Sequence, residues 1–110
     1  MGYMKEEYIQ VITTTDKKED AEKITEILLN RRLAGCTQII GPITSTYWWK
    51  GKIEKAREWL CIVKSTKNLF DDIKHSIREI HPYETPEIIV IPIVNGDNDY
   101  LKWLKDKLRK

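Results

Sequence analysis

The feature that most constrains this chain is a pair of long extended stretches, residues 36–49 and 52–65, joined at Lys50-Gly51. Each arm has about 14 residues, roughly 45 Å at strand rise, whereas the helix expected before it spans only about 25 Å. Gly51 permits the positive φ of a tight turn, so the arms pair as one hairpin, much of which must overhang the body of the fold. Gly41-Pro42 interrupts the first arm and predicts a bulge or bend there. The ribbon carries Ile43, Tyr47, Trp48, Trp49 and Ile53, an apolar surface that soluble monomers rarely expose, so a cyclic homo-oligomer is expected. The competing arrangement is a monomer whose hairpin curls back onto its own sheet.

The remaining elements follow from periodicity. Residues 8–14 are rich in β-branched side chains and read as the first strand. Asp16, with Glu19 three residues on, predicts a helix start, and Ala21, Ile24, Ile27, Leu28 and Leu33 keep helical spacing up to Gly35, the expected stop. After the hairpin, Asn68 is the expected cap of a second helix whose apolar face is Phe70, Ile73, Ile77 and Ile80. Residues 87–94 read as a strand buried on both faces, then a turn at Asn95-Gly96-Asp97. A last helix turns Tyr100, Leu101, Leu104 and Leu108 inward and its lysines outward. The order β-α-β-β-α-β plus a helix predicts an α+β fold, a ferredoxin-like βαββαβ sandwich with an added C-terminal helix, in one domain over residues 1–110. Strands one and three belong in the centre, which leaves Pro42 and Pro92 on the edges, where a missing donor breaks no ladder.

Composition excludes several functions. Nineteen Lys and Arg against seventeen Asp and Glu leave a formal charge of +2 with signs interspersed, so neither nucleic acid nor a membrane surface is an expected partner. No apolar run reaches a membrane span, and Met1-Gly2-Tyr3-Met4-Lys5-Glu6 lacks the apolar core of a signal peptide, so a cytoplasmic location is expected. Cys36 and Cys61 have no metal-ligand spacing and are expected as reduced, buried thiols. No nucleophile-base motif, phosphate loop or HExxH is present, and a binding protein is expected rather than an enzyme. His75 and Glu79 are spaced for an i,i+4 surface pair.

Chemistry concentrates in Ile80-His81-Pro82-Tyr83-Glu84-Thr85-Pro86-Glu87. The prolines hold His81 and Thr85 away from helical geometry and present a histidine, a phenol and two carboxylates in a stiff segment. An imidazole beside carboxylates suits Cu(II), and more loosely Zn(II) or Ni(II), which nominates His81, Glu84 and Glu87 as metal ligands, with Tyr83 beside them. Two or three donors make an open site that an oligomer interface can complete. The same stretch also fits a plain helix-to-strand connection with a tyrosine packed on the core.

Five blocks in order resemble the CutA family, linked to divalent-cation tolerance: Leu33-Ala34-Gly35-Cys36, Ser45-Thr46-Tyr47-Trp48-Trp49-Lys50-Gly51-Lys52, Lys64-Ser65-Thr66, His81-Pro82-Tyr83-Glu84-Thr85-Pro86-Glu87 and Tyr100-Leu101-Lys102-Trp103. The resemblance, from about Ile9 to Lys107, implies a very stable cytoplasmic homotrimer assembled through the long hairpin that binds copper and other divalent cations. The family's histidine falls on His81 and its last carboxylate on Glu87. A cysteine carried by some bacterial members falls at about Thr13, which argues against Cu(I). Tyr47, Trp48, Trp49, Tyr83 and Trp103 are then candidates for an inter-subunit cleft. The subunit's similarity to the nitrogen-regulatory PII proteins offers an alternative, a signalling module binding a small metabolite in that cleft with Glu58 and Lys64; that is an analogy of fold.

Overall fold

A computed structural model describes residues 7–110; residues 1–6, where a signal peptide was sought and where the expected domain begins, lie outside the described residues. The elements are β1 (Tyr8–Thr15), α1 (Lys18–Asn30), β2 (Cys36–Trp49), β3 (Lys52–Thr66), α2 (Phe70–Ile80) after a single 3₁₀ turn, β4 (Ile89–Ile93) and α3 (Asn98–Lys107). They form one antiparallel sheet in the order β2-β3-β1-β4, the ferredoxin-like α+β plan, with Pro42 and Pro92 on the edge strands. The molecule measures 48 × 30 × 22 Å.

Alternation along β1 assigns the two faces of the sheet. Ile9 and Val11 join Ile24 and Leu28 of α1, Ile73 and Ile77 of α2 and Val63 of β3 in the main core. Each such buried aliphatic side chain contributes about 1.5–3 kcal/mol. Tyr8 points the other way and packs with Leu101 and Leu104 of α3. Helices α1 and α2 thus cover one face, and α3 covers one end of the opposite face. The other end of that face stays open.

Several local expectations are corrected. Helix α1 starts from Lys17, whose side chain makes no capping bond, so Asp16 is not its cap. The helix is stopped by Arg32, at φ 58°, and not by Gly35. Arg32 N–H donates to Leu29 O and Leu33 N–H to Leu28 O, the paired bonds of a Schellman end, built here without glycine. Gly35 serves close packing instead: a Cβ there would stand 2.7 Å from Leu104 Cδ1. Asn68 accepts from Thr66 Oγ1 at 2.6 Å rather than capping α2. Glu79 accepts from Arg31 at 3.1 Å across the α1–α2 groove, so it is held by an arginine and not by His75.

The largest corrections concern apolar surface. Strand β4 is shorter than expected and exposed: it pairs with β1 alone, only its Ile93 packs against the α3 cluster, and Ile89, Val90 and Ile91 stand open to solvent. Tyr100 also lies outward, stacked on Trp103 at 5.7 Å.

Replacing Gly35 by alanine forces Leu104 out of contact, and a loss of about 1–3 kcal/mol in urea unfolding is expected. Cys61 is fully buried in the sheet, and burial pushes its thiol up from 9.0 to about 11. Above pH 9 the unfolded chain loses this proton while the folded chain keeps it, so stability falls between pH 9 and 11. A fall of at least about 2 kcal/mol is the expected result of urea melts across that range, and it should be smaller but not abolished in Cys61→Ala, because the Tyr83 phenol is pushed up as well.

Candidate functional site

The open end of the sheet face becomes a site through one extra residue in β2. Ile40 pairs with Leu60 and Ile43 with Glu58, so three steps on β2 match two on β3. Side chains alternate strictly along a strand, and the bulge therefore reverses which residues face which way. Beyond it, Ser45, Tyr47 and Trp49 share the face of Glu58, while Trp48 turns to the opposite face, 73% exposed. The turn closing the ribbon uses positive φ at both Lys50 (49°) and Gly51 (77°), the two-residue geometry that follows strand twist.

The segment after α2 crosses the open end and is held by a chain of hydrogen bonds. His81, only 8% exposed, approaches Thr14 O with Nε2 at 2.8 Å, and its Nδ1 accepts from Tyr83 N–H at 3.1 Å. Because Nδ1 accepts, Nε2 carries the proton and donates to the carbonyl. The Tyr83 ring lies 4.7 Å from the imidazole, and its hydroxyl donates to Glu58 Oε2 at 2.7 Å. Burial, then the bond to Glu58 and that carboxylate's charge, push the phenol far above its ordinary range, so it stays protonated and donates to Glu58. Pro82 carries no backbone donor and cannot continue the helix, and α2 ends at Ile80 as expected.

These elements enclose a cavity of about 590 Å³ lined by Tyr47, Trp49, Glu58, Tyr83, Glu84 and Glu87 together with Thr14, Ser45, Thr46 and Thr85. The first six were nominated from the sequence in two separate groups, and the fold brings them to one place. The four hydroxyl residues were not foreseen; period-two alternation beside Tyr47 and Trp49 is the signal that points to Ser45. Lys64 and Trp103 lie elsewhere, at the α3 end of the face. There Lys64 Nζ stands 5.8 Å from the Tyr100 ring, and Lys107 Nζ 5.7 Å from the Trp103 ring.

For a metal ion, the donors within one chain do not converge. No group of three or more His, Cys, Asp or Glu able to hold an ion occurs among the described residues. Both nitrogens of His81 are engaged, so coordination through the imidazole requires breaking its bond to Thr14 or to Tyr83. Glu84 and Glu87 remain as oxygen donors on the cavity wall.

The chain belongs to the CutA family: residues 9–107 match the family profile described as CutA1 divalent ion tolerance protein. It is 38% identical over 96 residues to the divalent-cation tolerance protein CutA of Thermus thermophilus, covering 87% of this chain and 93% of that one. Identity to the protein of the same name from Pyrococcus horikoshii is 40% over 102 residues, or 93% of this chain and 99% of the relative. The solved structure of the Archaeoglobus fulgidus relative, described as a periplasmic divalent cation tolerance protein, superposes with a TM-score of 0.90 at 36% identity, covering 93% of this chain and 99% of that one.

Replacing Tyr83 by phenylalanine leaves the buried Glu58 carboxylate without its donor, and a loss of about 1–3 kcal/mol is expected. Thermal melts of Tyr83→Phe and of the Glu58→Gln/Tyr83→Phe double variant check this: the double variant should recover part of the loss.

Proposed function

We propose that this chain is a homotrimeric, non-enzymatic protein of the cytoplasm that binds divalent cations and so contributes to divalent-cation tolerance. The observation that carries the assembly is the bare apolar surface of β4 and the hairpin, where Ile89, Ile91, Trp48 and Ile53 have no covering layer in a single chain. At about 25 cal/mol per Å² of apolar area, such a surface favours burial against further copies. Three copies is the number the family resemblance implies.

The tolerance name shared by the relatives and the carboxylates of the cavity support a divalent ion as ligand. The proposal assigns it to Glu84 and Glu87, completed by donors of a neighbouring subunit. His81 acts as a positioning residue that fixes Tyr83, unless it gives up a hydrogen bond to coordinate. Cu(II), the ion expected from an imidazole donor, is the first to test, although an all-oxygen set favours it less. No helix among the described residues is long and apolar enough to cross a membrane, and the free thiols of Cys36 and Cys61 fit a reducing compartment. The Archaeoglobus relative is described as periplasmic, so fractionation decides the location. The signalling alternative draws no support from the relatives described above.

Native mass spectrometry of metal-free protein titrated with Cu(II) and Zn(II) tests both parts together. A three-subunit mass that takes up ions in multiples of three, with uptake reduced about tenfold or more in Glu84→Gln/Glu87→Gln, is expected. A monomer refutes the assembly, and uptake unchanged by the double variant moves the ion away from this stretch.

A further inference from the structure

Glu58 is a buried acid that the divalent-ion role leaves unexplained. It is 6% exposed, and its Oε2 accepts from the Tyr83 hydroxyl. Among the described residues no ion pair joins it to a lysine, arginine or histidine, and its carboxylate lies on the cavity wall. A carboxylate that faces the cavity with one neutral donor and no cation beside it is a ready counter-charge for a cation that enters.

The surroundings narrow the kind of cation. Tyr47, Trp49 and Tyr83 give the cavity aromatic walls, Glu84 and Glu87 add two more carboxylates, and no basic side chain lines it. A space of about 590 Å³ is in the range of small-molecule sites and far larger than one ion fills. Metal ions need converging donors, which are missing among the described residues, whereas an ammonium group is held by a carboxylate and by ring faces without such convergence. Trp49 already receives one ammonium: Lys50 Nζ stands 5.9 Å from its ring.

We propose that the cavity binds a small organic dication, a diamine, with one ammonium against Glu58 between the aromatic walls and the other on Glu84 and Glu87. This site is distinct in chemistry from the divalent-ion proposal but shares Glu84 and Glu87 with it, so the two are tested apart.

The test is calorimetric titration of the assembled full chain with 1,4-diaminobutane in the presence of EDTA, beside 1-butylamine and 1,4-butanediol. Saturable binding near one diamine per chain is expected, weaker for the monoamine and absent for the diol. Glu58→Gln should weaken the diamine about tenfold or more by removing the charged partner. Trp49→Leu should weaken it too, and because this side chain is half exposed in the single chain, it keeps the test valid if Glu58→Gln fails to fold. Absence of binding to the wild type overturns the proposal, whether the cavity stays empty or a neighbouring subunit's cation fills it. Binding matched by the diol, or unchanged in both variants, also overturns it. A protein that takes up divalent ions yet ignores the diamine refutes this inference alone; one that binds the diamine and no ion refutes only the metal reading.

Discussion

The site depends on the bulge between Ile40 and Ile43. In a strand one residue of slip exchanges the two faces, so this single insertion decides whether Tyr47 and Trp49 face the Glu58 side or the α1 side. Packing pins it in place. The indole of Trp59 lies so close over Gly41 that a Cβ there would stand 2.3 Å from Trp59 Cδ1. Without the bulge the aromatic face of the hairpin would point away from the segment that carries Tyr83, and no cavity would form.

The second dependence is the relay from Thr14 through His81 and Tyr83 to Glu58. It ties the end of β1, the segment after α2 and the middle of β3 together, three parts far apart in sequence. Each bond contributes only about 1 kcal/mol net, yet the buried groups it satisfies are costly to leave alone. The histidine that looks like a metal ligand in sequence is thereby also a strut, and the tyrosine beside it presents a fixed donor to the one buried acid of the cavity. A rigid polar floor, aromatic walls and an acidic rim are the result.

Much of the fold was legible because hydrophobic periods are local. The β-branched run of β1, the three- and four-residue spacing of α1 and α2, and the prolines of the two edge strands all pointed to the observed sheet order. Helix ends were less legible, since Asp16 and Asn68 have the right chemistry for caps but the chain enters each helix by another route. Arg32 adopts a conformation usually left to glycine, which no propensity signals. In β4, an apolar run that reads as doubly buried stands exposed in one chain, because sequence periodicity reports that a face wants cover without saying which molecule supplies it. At the site, Tyr47, Trp49, Glu58, Tyr83, Glu84 and Glu87 meet around one cavity, while Lys64, Trp48 and Trp103 lie on other surfaces.

By itself the sequence determined the element order, the overhanging hairpin, the edge positions of the prolines and the family, all of which follow from patterns within a few turns or from short blocks of residues. Only the tertiary structure decided that His81 spends both its nitrogens on the backbone, that Glu58 is buried against Tyr83, and that the aromatic arm and the acidic segment face each other. Those facts depend on the register of β2 against β3 and on contacts between residues up to 67 apart in the chain. Hydrogen-bond partners at that separation are chosen by packing geometry, which no local pattern of residue types encodes.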